Sequence, residues 1–331
     1  MHVDTTAIVF STSPPWVQTL IYVTRLALAD PGFRRRDNAT TIARVKTTAP
    51  PDPNTRKPKF CPPPKACDAH CHIFGPAAKF PYAKDAAYWP PDAPFEGLQK
   101  LHSILGIERA VIVHASCHGA DMRVTLDGIA RSGGRYRGTA IVDESFSERQ
   151  FQQMHDGGIR AVRFNFVKHL GGRPDMQLFD RTVARLKEMG WHLILHLDSN
   201  DLAEFRKKLE AIPVPMVIDH MGRVKTADGL DQEPFKVLLG FMKNPNFWVK
   251  ICGAERVSSM GPPFTDAVPF ARALIEAAPD RILWGTDWPH PNVGKHMPND
   301  GDLVDLFPRM VPEPELQVKI LVDNPARLYG F

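Results

Sequence analysis

Long apolar runs are missing from this 331-residue chain: no stretch approaches the roughly 20 consecutive apolar residues that a helix needs to cross a bilayer. An excess of one charge is missing too. Lys and Arg number 41 against 37 Asp and Glu, and they are scattered, so the net +4 marks neither a nucleic-acid footprint nor a basic patch for a membrane surface. The five cysteines, Cys61, Cys67, Cys71, Cys117 and Cys252, contain no Cys-x-x-Cys pair. Their odd number and spacing argue against a disulfide framework and a structural zinc cluster, and point to a reducing, cytoplasmic setting. A secretory leader is equally poorly marked, since the apolar stretch 20–29 is preceded by no Lys or Arg and is interrupted by Arg25. No feature of the sequence sets an oligomeric state.

What is present is ordinary globular composition, 43% hydrophobic and 24% charged, unevenly arranged. Residues 1–64 have no sustained period and are rich in proline toward their end, which predicts a loosely ordered N-terminal extension. From residue 65 short apolar runs alternate with amphipathic helical stretches. Strands are expected at 67–73, 109–116, 138–142, 159–166, 191–198, 216–220, 247–252 and 282–287, with helices such as 95–105 and 175–189 between them. A long polar and aromatic loop, 76–94, is a candidate lid. Eight nearly continuous apolar strands alternating with helices predict an α/β fold, a (β/α)8 barrel of the TIM type over 65–331.

Chemistry in such barrels sits at the C-terminal strand ends. The first strand carries His70 and His72 there, two residues apart and therefore on one side, with Asp68 below them. His196 ends the fifth strand, His220 the sixth and Asp287 the eighth. Imidazoles and one carboxylate on a single rim form a nitrogen and oxygen ligand set suited to Zn2+. A zinc ion held by His70, His72 and His196, with Asp287 as ligand or proton acceptor, would bring the pKa of bound water down to roughly 7. His220 is expected either to complete that shell or to donate to a carbonyl oxygen. Arg163 on the fourth strand and Arg256 after the seventh are the guanidinium groups placed to take an anionic substrate. Ser116, His118 and Tyr88 are further hydrogen-bonding candidates.

Asp68-Ala69-His70-Cys71-His72, His196, Asp219-His220-Met221-Gly222 and Trp284-Gly285-Thr286-Asp287-Trp288-Pro289 resemble the amidohydrolase superfamily from about residue 67 to the end. That resemblance implies hydrolysis of esters, amides or lactones, or decarboxylation, at a metal-bound water. The bridging lysine of binuclear members would fall on strand four, where this chain has Arg163 and Asn165, so it implies one metal ion per chain. His72-Ile73-Phe74-Gly75-Pro76, Phe80-Pro81-Tyr82, Arg163-Phe164-Asn165-Phe166 and Cys252-Gly253-Ala254-Glu255-Arg256 are similar to the superfamily's lactonases of bacterial aromatic catabolism. Those acting on 2-pyrone-4,6-dicarboxylate are regarded as metal-free, with a tyrosine where this chain has His196 and an arginine where it has His169. These departures imply a metal-bearing relative acting on another small anionic lactone, 4-sulfomuconolactone first, with His169 near the substrate. The dicarboxylate and a decarboxylation are the alternatives.

Overall fold

The computed structural model describes residues 46–294 and 296–331. Eight parallel strands form the sheet: β1 Cys67–Cys71, β2 Arg109–Val113, β3 Tyr136–Ala140, β4 Ile159–Asn165, β5 His192–His196, β6 Met216–Ile218, β7 Phe247–Lys250 and β8 Ile282–Leu283. Each pairs with its neighbour in sequence, and the first and last are joined through Ala69 N to Trp284 O at 2.9 Å and Asp287 N to His70 O at 2.7 Å. The ring of strands is thereby closed, as the eightfold alternation predicts.

Both faces of every strand are buried, which explains their unbroken apolar character. On β5, Leu193 and Leu195 face the surrounding helices, whereas Ile194 joins Val111, Ala161, Val217, Trp248 and Leu283 inside the barrel, with Tyr329 packed against them. The helix Phe95–Leu105 is bounded as its sequence predicts. Pro94 sits at the N-cap, where a missing N–H costs nothing, and Gly106 takes the left-handed conformation that ends it.

Two expectations fail locally, for physical reasons. The strands at the site are shorter than their apolar runs, because the chain leaves extended geometry at the barrel mouth. His220 and Asp287 have φ of 52° and 67°, left-handed values that non-glycine residues hold at an energetic cost. Asp68 does not lie below the two histidines. A register shift between Asp68 and Cys71 breaks the alternation, so His70 and His72 face inward while the Asp68 carboxylate accepts from Thr286 Oγ1 at 2.6 Å and from His102 Nε2 at 3.2 Å. Gly285 permits this crossing of the ends, since a Cβ there would meet His70 N at 2.5 Å.

The described part of the segment before residue 65 is fastened to the barrel. Arg56 Nη2 reaches Asp302 and Asp305 at 2.5 and 2.6 Å, the Phe60 ring lies tilted 5.8 Å from that of Phe307, and Lys46–Thr47 pairs with Tyr88–Trp89 of the long loop. The rest of the extension, including the stretch 20–29, lies outside the described residues. Among the described residues no helix is long and apolar enough to cross a membrane.

Candidate active site

At the mouth of the barrel lies a small cavity lined by His72, His196, His220, Asp287, Arg163, Arg256, Ser116, Tyr88 and His169. Residues at or after the ends of seven of the eight strands meet there. His118 does not: its ring is buried against the long loop, with Nδ1 3.3 Å from Pro81 O and Nε2 accepting from Gly75 N at 3.4 Å. It braces the loop that carries Tyr88 rather than facing the cavity.

One inward step below the cavity, apolar residues give way to charge. Arg163 on β4 donates Nε to Asp219 Oδ2 at 2.9 Å, and Lys250 at the end of β7 lies 3.1 Å from Asp219 Oδ1 and 3.2 Å from His70 Nδ1. All four side chains are buried. Burial alone would favour a neutral Asp219, but Lys250, His70 and Arg163 outweigh it and hold the carboxyl well below the usual carboxylate range. Burial, followed by the Lys250 ammonium, lowers His70 to about 4, so its imidazole is neutral at pH 7.

The groups facing the cavity are held from behind. His72 donates Nδ1–H to Val113 O at 2.7 Å and His196 donates Nδ1–H to Asn165 Oδ1 at 3.0 Å, which turns both Nε2 lone pairs inward. His220 Nδ1 rests 3.4 Å from Cys252 Sγ, and Gly253 leaves room for the ring, because a Cβ there would lie 2.7 Å from that nitrogen. Burial lowers both His196 and His220 well below the ordinary imidazole value. Asp287 accepts through Oδ2 from Arg256 Nε. Arg256 also sends Nη1 and Nη2 to Pro291 O at 3.1 Å each, so its guanidinium is spent on shaping the site. Against the effect of burial, Arg256 and then His220 hold the Asp287 carboxyl well below its usual range. Its Oδ1 is left without a hydrogen-bond partner, 3.3 Å from His72 Nε2 and 3.5 Å from His70 Nε2.

The family model described as amidohydrolase matches residues 67–331. The chain belongs to the amidohydrolase family. It is 46% identical to the 2-pyrone-4,6-dicarboxylate hydrolase of Comamonas testosteroni, over 83% of this chain and 93% of that one. It is 44% identical to the 4-sulfomuconolactone hydrolase of Hydrogenophaga intermedia, over 82% and 91%. Among solved structures, an apo protein of Agrobacterium tumefaciens superposes with a TM-score of 0.73 at 27% identity, over 83% of this chain and 98% of that one.

Amidohydrolases typically depend on a metal, and this member has residues that could bind one. His70, His72 and Asp287 bring donor atoms within 4.8 Å of one another, and His70 Nε2 and Asp287 Oδ1 are buried without hydrogen-bond partners. The four-residue shell expected from the strand ends does not assemble. His196 joins no such group among the described residues, and its ring lies instead 5.5 Å from that of His220. Behind the trio, His70 Nδ1 lies 3.2 Å from Lys250 Nζ and 3.3 Å from Asp219 Oδ1; with its proton given to that carboxylate, His70 turns its Nε2 lone pair toward His72 and Asp287. Both carboxylates at the site, Asp219 and Asp287, already face cations. The two orphaned donor atoms of the trio fit a divalent ion.

Asp219, Lys250, Asn165 and Cys252 were not expected at the site. Lys250 had a readable signal: it is the one charge inside the otherwise apolar run Phe247-Trp248-Val249-Lys250-Ile251-Cys252, two residues from Trp248 and hence on the same inward side.

Proposed function

We propose that this amidohydrolase is a lactonase that opens the ring ester of a small anionic lactone from aromatic catabolism by adding water. The observation that carries the reading is the partnerless, ionised Oδ1 of Asp287, held in place by Arg256 inside a cavity that also contains a second guanidinium. A carboxylate so placed accepts a proton from water as that water attacks the carbonyl carbon, and a general base of this kind contributes roughly 10²- to 10⁴-fold. The C–O ring bond then breaks, and the proton held on Asp287 passes to the departing oxygen. Burial pushes the Cys252 thiol well up, so it stays protonated against His220 Nδ1. His220 Nε2 is then the end that donates to the carbonyl oxygen. Arg163 uses Nε on Asp219 and keeps its terminal nitrogens for the substrate anion.

The expected single zinc ion would be held by His70, His72 and Asp287 and would supply there a more acidic water. The substrates named for the two relatives, 2-pyrone-4,6-dicarboxylate and 4-sulfomuconolactone, define the class. The second is the first choice here, because His169 and His196 stand where the resemblance to the dicarboxylate enzymes departs; its opened ring leaves hydroxyl and sulfonate on one carbon, whose C–S bond breaks to release sulfite, with the hydroxyl proton, as that carbon becomes the ketone of maleylacetate. The working unit of this reading is the barrel from residue 65 onward, acting in the cytoplasm, and five free cysteines support that compartment. Incubating the protein with both lactones and weighing the products tests it. Products that together weigh one water more than the lactone, the opened acid from the dicarboxylate and maleylacetate plus sulfite from the sulfonate, are the expected result, whereas loss of CO2 identifies a decarboxylase on the same scaffold.

A further inference from the structure

Residues 46–60 have no part in the reaction just described, yet they are gripped at one end and reach the cavity wall at the other. The grip is the first turns of the helix Asp300–Met310. Asn299, its N-cap, accepts from Arg56 N at 2.9 Å and donates Nδ2 to Asp52 Oδ2 at 2.8 Å and to Asn54 O at 2.9 Å. Arg56 Nε donates to Asp302 Oδ1 at 2.8 Å, and Asp305 Oδ1 accepts from Lys59 N and Phe60 N at 2.7 and 2.9 Å. The approach leaves no room for a side chain, since a Cβ on Gly301 would run into Arg56 O. At the other end Lys46–Thr47 lies as a parallel strand beside Tyr88–Trp89 of the long loop. Alternation sends Tyr88 inward, 4% exposed and lining the cavity, and Trp89 outward, 44% exposed. Between the two anchors runs Pro50-Pro51-Asp52-Pro53. Its fixed φ angles make a stiff spacer, so a displacement at the helix is carried to the strand rather than absorbed.

We infer that residues 46–60 are a strap belonging to the active site, and that Arg56 is a positioning residue for Tyr88, acting through the strand pairing. Two features separate such a strap from a tail that merely lies on the barrel. The long loop is tied at Ala83, whose N–H donates to Cys117 O at 2.8 Å, and at Ala93, which exchanges backbone hydrogen bonds with Phe74 at 2.8 and 2.9 Å. Tyr88 falls between those two points, and there the strap supplies the backbone pairing. The helix that receives the strap also steadies the opposite wall of the cavity. Asp300, between Asn299 and Gly301, has Oδ1 3.1 Å from His290 Nε2, and His290 N donates to Asp287 O at 2.7 Å. One helix end therefore braces the turn that carries Asp287 and, through the strap, the loop that carries Tyr88. In the lactonase reading, on which only this consequence rests, the strap keeps Tyr88 against the substrate, and the working unit extends from the barrel back to residue 46.

The experiment compares the full chain with Arg56→Met and Gly301→Ala. The first removes the ion pairs to Asp302 and Asp305. The second sets a methyl group against Arg56 O, although alanine suits a helix better than glycine, so a tail without bearing on the loop would leave that variant as firm as the wild type. Hydrogen exchange followed by mass spectrometry is expected to show the amides at Tyr88 and Trp89 protected in the wild type. Both variants lose that protection while the strand His192–His196 keeps its own. On 4-sulfomuconolactone KM is expected to rise about three- to tenfold, as for one neutral hydrogen bond lost, at an unchanged kcat. Arg56→Lys, which keeps one charge for the two carboxylates, is expected to recover part of both effects. Unprotected amides at Tyr88 and Trp89 in the wild type, or undiminished protection in the variants, overturns the strap, and lost protection with an unchanged KM overturns its bearing on the substrate. If Gly301→Ala does not fold, Arg56→Met decides. The exchange readout needs no turnover, so a failed lactone assay counts against the lactonase reading alone, and an overturned strap leaves that reading standing.

Discussion

Two layers inside one barrel are separated by a single inward step along the same strands. Ala161, Ile194, Val217 and Trp248 make the lower layer, and two residues further on stand Arg163, His196, Asp219 and Lys250. Both layers are equally shut off from water, yet they contribute in opposite ways. The lower gains from every apolar area it removes from solvent, about 25 cal/mol per Å2. The upper has to desolvate an ammonium, a guanidinium and a carboxylate, and ion pairs in that position seldom do better than a hydrophobic replacement of the same volume. Stability therefore does not account for the upper layer. His196 Nε2 in that layer and Asp287 Oδ1 above it are unpartnered atoms of residues that line the cavity, where a substrate can use them.

The comparison can be broken first at the top. Asp287→Asn removes the proton acceptor while keeping the shape, and kcat is expected to fall by about 10²- to 10⁴-fold together with a drop in melting temperature, because Arg256 loses its carboxylate, as steady-state kinetics and a thermal scan would establish. Asp219→Asn comes next. It leaves Lys250 and Arg163 without their carboxylate, and denaturant unfolding is expected to reveal a loss of about 3–5 kcal/mol. Because the Asp219 carboxyl is held below its ordinary value, that stabilisation is present above the unfolded-state pKa near 3.9 and shrinks as pH falls below it. The gap between wild type and variant should therefore close in acid, and a constant gap would place its origin in packing.

Arg163→Met sharpens the assignment of the substrate anion. Losing one charged hydrogen bond, worth about 1.5–3 kcal/mol, raises KM roughly ten- to hundredfold on an anionic lactone, and a neutral lactone should be affected far less. The smallest effect belongs to the lower layer, where Ile194→Val is expected to cost about 0.5–1.5 kcal/mol and to leave kcat and KM alone. A change of turnover in that variant would mean that the two layers are not separable.

How far the sequence reaches follows the same division. Period and punctuation announce the apolar shell well, so the helix Phe95–Leu105 and all eight strands fall where the alternation places them. The rim is read less well because there the backbone departs from regular geometry. The run at 282–287 looks like one strand, but only Ile282–Leu283 is extended, and Asp287 reaches the cavity through a left-handed turn. A bulge reverses the side on which Asp68 lies, and no local pattern announces it. Arg256 is legible as a cation at the rim, but not as one committed to Asp287 and Pro291, since such pairings depend on loops brought together from different strand ends.

Hydrolysis in water labelled with oxygen-18, run for a single turnover with both the product and the Asp287 peptide weighed, tests the account most directly. Asp287 acting on water predicts the label in the new carboxylate of the product and none in the peptide. Label found in Asp287 with an unlabelled product would contradict it, as would the absence of turnover on every lactone tried.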